Sequence, residues 1–315
     1  MDDPSISAAW RTDSGLVRSH NEDFVAVYEP DDPDDRRRHG YLYIVADGVG
    51  GADAGEVASQ YASEQTRHHY LAGAGRTDWG ARLIDAMQGA NTDLRRLAAE
   101  RNDSRRMATT MVAAVIQDGH AYVGNVGDSR AYQYREGWLE QISRDQSLVA
   151  RLLEEGALTA EEAANYPYKN VILYSIGSEK RPPIDLYEIA MEPGDLLILC
   201  SDGLTRHVED SEIADAVGRQ LPEAAAAALV DLARQRGGED NITVAIIQHG
   251  PHPSELPEQP TQPITVPRVA VVQPAPQPVA VEQPRGLWGL TAALTVVMVV
   301  LIFLLWFVIQ QATAI

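Results

Sequence analysis

Residues 45–59, "VADGVGGADAGEVAS", hold four glycines and three acids in fifteen positions, with no Lys or Arg. The stretch closes the apolar run "YLYIVAD" (41–47) and leads into "AGEVASQYASEQTRHHYLA" (54–72), whose apolar residues recur every three or four positions. It therefore reads as strand, tight loop, then helix. A Gly-rich loop ahead of a helix suggests a phosphate cradle. This one lacks the Gly-Lys-Ser/Thr ending such a cradle requires, and its first polar side chain is the carboxylate of Asp47. The stretch alone leaves two readings open, a turn or an oxygen-ligand site for a hard cation. Asp53 and Glu56 read as acids of the helix start.

Working outward, further short β-type runs appear: "ISAAW", "FVAVY", "TTMVAAVIQ", "HAYVGNVGD", "RAYQYR", "LLILCSD" and "NITVAIIQ". Turns such as "QDGH" and "REGW" separate several of them, which favours antiparallel pairing. "WGARLIDAMQGANTDLRRLAAER" (79–101) and "PEAAAAALVDLARQR" (222–236) carry helical periodicity. Strand blocks punctuated by helix pairs imply an α+β domain of antiparallel sheets covered by helices. No Gly-x-Gly-x-x-Gly followed by alternating strands and helices supports a doubly wound nucleotide fold.

Three regions differ in composition. Residues 1–249 are mixed as in a globular domain. Residues 250–286 contain ten of the 18 prolines and read as an extended flexible linker, at most about 120 Å long. Residues 287–309 carry no charge over 23 positions, enough to cross the roughly 30 Å core of a bilayer. Trp288 and Trp306 lie near the two ends of that stretch, as interfacial aromatics do. Arg268 and Arg285 precede it, the tail "QQATAI" has no basic residue, and the acidic N-terminus has no apolar signal run. The expectation is a single-pass anchor in the cytoplasmic (inner) membrane, with the large domain in the cytoplasm.

The net charge of -19 argues against a nucleic-acid partner, since phosphate contacts need a basic face. Arg36, Arg37 and Arg38 are too few to supply one. The single cysteine, Cys200, can form neither an internal disulfide nor a cysteine-based zinc site. Sitting in "LLILC", it reads as an inert core residue. His68 and His69 read as ordinary helix residues, His20 as a neighbour of an acidic motif, and "EPDDPDDRRRHG" (29–40) as a solvated hairpin tip.

Five acidic signatures stand at strand ends or turns: "RSHNED" (18–23), "VADGVGG" (45–51), "VGDSR" (126–130), "CSDG" (200–203) and "GGEDNIT" (237–243). Each alone reads as a turn. Five together, without a compensating basic cluster, point to carboxylates converging on Mg²⁺ or Mn²⁺, which prefer oxygen ligands.

In this order and spacing the motifs resemble the metal-dependent type 2C (PPM) protein serine/threonine phosphatases, bacterial branch, from residue 5 to about 248. The resemblance implies a four-layer α-β-β-α sandwich of two antiparallel sheets flanked by helices, with residues 145–177 as the flap subdomain. It implies that Asp47 bridges two Mn²⁺ or Mg²⁺ ions and that the Gly48 carbonyl and Glu22 serve one of them. Asp202 and Asp240 would complete the other, while Asp128 with Asp202 matches the position of a third, weaker ion. Arg18 would grip the substrate phosphate bidentately. Asp23 and Asn241 would orient ligands and waters from behind. The implied reaction is attack on phosphoserine or phosphothreonine by a water bridging the two metals, which needs no protein nucleophile. Implied partners are phosphorylated proteins and the Ser/Thr kinase that the enzyme opposes.

Three departures from the family pattern stand out. Val49 follows the Asp-Gly pair where animal members carry a His proposed as general acid, so leaving-group protonation falls to metal-bound water or another residue. Lys169 and Tyr174 stand in the flap where Arg is expected in bacterial relatives. The 29–40 segment is longer and more charged than usual.

Overall fold

The computed structural model describes residues 6–50, 52–101, 107–253 and 270–272. All of them belong to a compact unit, Met1–Gln273. The apolar stretch 287–309 lies outside the described residues, as does most of the Pro-rich tract. Among the described residues no helix is long and apolar enough to cross a membrane.

Two antiparallel sheets form the centre. The first runs β1 (Ile6–Asp13), β11 (Ile242–His249), β10 (Leu196–Cys200), β7 (Arg130–Arg135) and β8 (Trp138–Gln141). The second runs β12 (Ala270–Val272), β9 (Asp185–Ala190), β6 (His120–Val126), β5 (Met111–Gln117), β3 (Tyr41–Val49) and β2 (Asp23–Tyr28), with β4 (Ala108–Thr109) paired to the end of β3. Two-residue turns join β5 to β6 and β7 to β8. Asp118, Gly119, Glu136 and Gly137 all have positive φ there, the backbone that matches strand twist in tight hairpins.

The period-two alternation of strand side chains divides the core into three layers. Leu197 and Leu199 of β10 face Tyr43, Val45, Val112 and Val123 of the other sheet. Leu196, Ile198 and Cys200 of the same strand pack instead with Ile213, Val217, Leu229 and Val230 of α7 (Asp210–Arg219) and α8 (Pro222–Gln235). The outer face of the second sheet packs Ile44, Ala113 and Val115 against Ala58, Ala62, Leu83 and Met87 of α2 (Ala52–Ala72) and α3 (Trp79–Arg101). Each Leu or Ile so buried contributes about 1.5–3 kcal/mol. The result is the four-layer α-β-β-α sandwich expected from the motifs. Burial pushes the Cys200 thiol up to about 12, consistent with an inert core residue.

Two local readings are refined. Residues 29–40 do form the largely exposed tip between the paired strands β2 and β3, but α1 (Pro33–His39) forms within it, because Asp32 accepts from the amides of Asp34 and Asp35 and Pro33 presets the first turn. Within the tract read as a linker, Ala270–Val272 pairs antiparallel with Leu186–Glu188 of β9. In the flap, Ser147 caps α4 (Leu148–Glu154), and Thr159 with Glu162 forms a capping box on α5 (Ala160–Ala164). The bridge Ser147–Ile172 closes the flap on itself, and Thr109–Ile176 stitches it to the body.

Candidate active site

All nine residues singled out by sequence lie at one end of the sandwich. Asp23 opens β2 directly opposite Asp47 on β3. Asp202 follows β10 as the first residue of α6 (Asp202–Thr205), and Asp240 precedes β11. Asp128 sits in the crossing from β6 to β7, where the chain passes from one sheet to the other.

Backbone and hydroxyl contacts hold this rim. The Asp47 carbonyl accepts from the Thr110 amide (2.9 Å) and the Thr109 hydroxyl (2.8 Å). Thr110 and Ser129 share a hydroxyl bond of 2.8 Å, and Arg130 grips Asp145 through Nε and Nη2 at 2.8 and 2.7 Å. The two residues after Asp128 in "GDSR" therefore fasten the loop that presents it. The Asn241 amide donates to the carbonyls of Ser14 (3.1 Å) and His20 (2.9 Å), and its oxygen accepts from the Glu22 amide (2.8 Å). Asn241 thus staples the "RSHNED" loop to the entry of β11. The Ser201 hydroxyl donates to Asp23 Oδ2 at 2.8 Å, tying the two sheets together beneath the acids.

Two glycines set how closely Glu22 can approach. A Cβ on Gly55 would lie 2.3 Å from Glu22 Oε2, and one on Gly48 would lie 2.3 Å from the Gly55 carbonyl oxygen. Any larger residue would push Glu22 away from β3 and from the first turn of α2. Val49, next in the chain, is exposed and carries no proton to give.

The charges do not cancel. Burial raises the Asp47 carboxyl well above the usual range, and the neighbouring Asp23, Asp202, Asp128 and Asp240 raise it further. Burial also lifts Asp23 to about 7, against the lowering effect of hydroxyl bonds from Thr243 and Ser201. Asp128 rises to about 8, by burial first and then by Asp202 and Asp145. Asp202 and Glu22 rise mainly by burial, each opposed by an arginine, Arg206 for the first and Arg18 for the second. Buried oxygens of Asp23, Asp128 and Asp202 (Oδ1 of each) have no hydrogen-bond partner. Crowded carboxylates with orphaned lone pairs are a strained arrangement for protein alone and a suitable one for hard cations. The donor set is all oxygen, which fits Mg²⁺ or Mn²⁺. The side chains are not closed into a cage: among the described residues no group of three His, Cys, Asp or Glu is arranged to hold an ion by itself.

Two arginines enter this field. Arg18 Nη2 lies 3.0 Å from both oxygens of Asp240, so this side chain rests on a carboxylate at the rim. Arg206 bridges Asp202 and Asp240, its Nη1 donating to Asp240 Oδ2 at 3.1 Å and its Nη2 to Asp202 Oδ2. Sequence reading passed over Arg206, though its place four residues after Asp202 on a helical turn is a visible ion-pair spacing. It passed over Ser201, Thr109, Thr110 and Gly55 as well, and nothing local marks these, since each acts on a distant segment. In the flap, Tyr174 packs against the core under α2 and α3, and Lys169 lies at the exposed surface.

Comparison with known proteins agrees with this geometry. Residues 20–235 match the protein phosphatase 2C family model. The chain is 36% identical over 251 residues to the serine/threonine phosphatase stp of Listeria welshimeri, covering 77% of this chain and 96% of that one. It superposes on the crystal structure of the Mycobacterium tuberculosis serine/threonine phosphatase PstP/Ppp with a TM-score of 0.68 at 34% identity, over 78% of this chain and 99% of the other. The catalytic domain of PstP in complex with two manganese ions gives a TM-score of 0.66 at 33% identity, over 78% and 99%. With five acidic motifs gathered on one rim of a double antiparallel sandwich, the chain belongs to the bacterial protein phosphatase 2C family, whose members are metal-dependent serine/threonine phosphatases.

Proposed function

We propose that this phosphatase hydrolyses phosphoserine and phosphothreonine on proteins at the rim formed by Glu22, Asp47, Gly48, Asp128, Asp202 and Asp240, tethered to the cytoplasmic membrane and opposing a Ser/Thr kinase there. The observation that carries the assignment of the rim is the crowding of buried carboxylates with unpartnered oxygens. Asp47, Asp202 and Asp240, with the Gly48 carbonyl and Glu22, would hold two ions, and Asp128 with Asp202 would offer a weaker third position. Bound Mn²⁺ or Mg²⁺ supplies an activated attacking water and neutralises charge developing on the phosphoryl oxygens. Arg18 orients the phosphate through its planar fork once it turns from Asp240. Asp23, held by Ser201, and Asn241, holding the Glu22 loop, keep the rim in register. Val49 has no proton to offer, so the leaving oxygen takes its proton from water or from another residue. Tethering is supported by the uncharged stretch 287–309 after the Pro-rich residues 250–286.

Release of phosphate from phosphoserine and phosphothreonine peptides by the full chain tests the rim. Activity should require Mn²⁺ or Mg²⁺ and vanish with EDTA or Asp47→Asn; activity that survives either sinks the assignment. Fractionation of expressing cells tests the tether, and recovery of the full chain in the soluble fraction rejects it.

A further inference from the structure

Among the described rim residues, Arg206 reaches two of the proposed cation ligands at once, where Arg18 reaches one. Its guanidinium spans Asp202 and Asp240, donating to Oδ2 of each, and so occupies lone pairs that a cation held by these two carboxylates would need. Its backbone amide is bound to the Asp202 carbonyl at 2.9 Å, so the stem is fixed on α6 while the head points back into the acids. The side chain is one-third exposed (33%), which leaves it a path to solvent.

We propose that Arg206 is a built-in countercharge that occupies the Asp202–Asp240 pair until a divalent cation displaces it, and so sets the cation concentration at which the site fills. The inference rests on the reading of Asp202 and Asp240 as cation ligands. Two positive charges held on the same pair of carboxylates repel, and that repulsion is large outside bulk water. Cation binding and the Arg206 contact therefore oppose one another, and the free energy of their coupling is subtracted from cation binding. In return the guanidinium offsets part of the repulsion between two crowded carboxylates when no cation is present. Arg18 also touches Asp240, but only that acid, and half of its side chain (49%) is exposed. Its effect on cation binding should be the smaller of the two.

Mn²⁺ titration of the full chain by calorimetry, together with melting in chelator, tests this. Arg206→Met should bind Mn²⁺ about tenfold more tightly than wild type while melting at a lower temperature without metal, the signature of a coupling that cuts both ways. Arg206→Lys, which keeps the charge but loses the fork, should fall between the two and is the variant read where the Met variant does not fold. Arg18→Met should tighten binding less than Arg206→Met. Unchanged or weaker Mn²⁺ binding by both Arg206 variants, each folded by circular dichroism, overturns the proposal. The ligand assignment is judged separately: it fails if Asp240→Asn binds Mn²⁺ as well as wild type, whatever Arg206 does.

Discussion

Strand β10 carries an acid at each end, and the two live in opposite conditions. Asp195, just before the strand, is almost fully buried, and both of its oxygens are satisfied. Oδ1 accepts from Arg135 Nε (2.9 Å), and Oδ2 from Gln133 (3.0 Å), the Glu192 amide (2.8 Å) and Arg135 Nη2 (2.5 Å). Asp202, just after it, is also buried, yet one oxygen has no partner and its neighbours include Asp47, Asp128 and Asp240. A buried charge that is paired and bonded is a structural fastening, while one left among like charges is held in place for something not made of protein. Burial alone does not tell them apart; the sign and number of the partners do.

Exchanging an acid at either end should separate the two roles. Asp202→Asn keeps the shape and can still accept from Arg206. Peptide dephosphorylation should fall by about 10²-fold or more while the melting temperature in chelator moves by no more than about 3 °C. Asp195→Asn turns an acceptor into a donor against Arg135 and Gln133. It should lower unfolding free energy by about 2–3 kcal/mol in urea titrations, with activity per folded molecule unchanged. Loss of activity from Asp195→Asn without loss of stability would erase the distinction.

A smaller effect belongs to the staple at the Asp202 end. Asn241→Ala removes bonds to Ser14, His20 and Glu22 and should cost about 1–2 kcal/mol. Because it frees the loop carrying Glu22, Mn²⁺ binding should weaken by about tenfold in the same calorimetric titration.

A separate effect is one of pH. The Asp128 carboxyl titrates near 3.8 when unfolded and is raised to about 8 in the fold. Between those values the folded chain keeps a proton that the unfolded chain has lost, so the contribution of this group to stability falls as pH rises through that window. Melting in chelator should decline with rising pH more steeply for wild type than for Asp128→Asn. Saturating Mn²⁺ should remove the difference, since a cation replaces the proton as the partner of the carboxylate.

Much of the sandwich is legible in the chain order, because strands and helices announce themselves through local periodicity. Trp79–Arg101 and Arg130–Arg135 fall where the spacing of apolar residues puts them. The short β8 and β9 carry weaker alternation, and α1 hides in a run of charges because its stability comes from the Asp32 cap rather than from an apolar face. The acids of the site are equally visible, since each stands at one end of an apolar run and beside a glycine or another acid.

By itself, then, the sequence determined the family, most of the strands and helices and which acids are candidates for the site, all properties carried by residues close together in the chain. Tertiary structure alone decided which of those carboxylates share one field. It placed Ser201 under Asp23, 178 positions away, and Asn241 over Glu22, 219 away. It also set Arg206 between Asp202 and Asp240. The physical reason is that a pKa, an orphaned oxygen or a displaced countercharge depends on distances across two sheets, and no local pattern of residues encodes them.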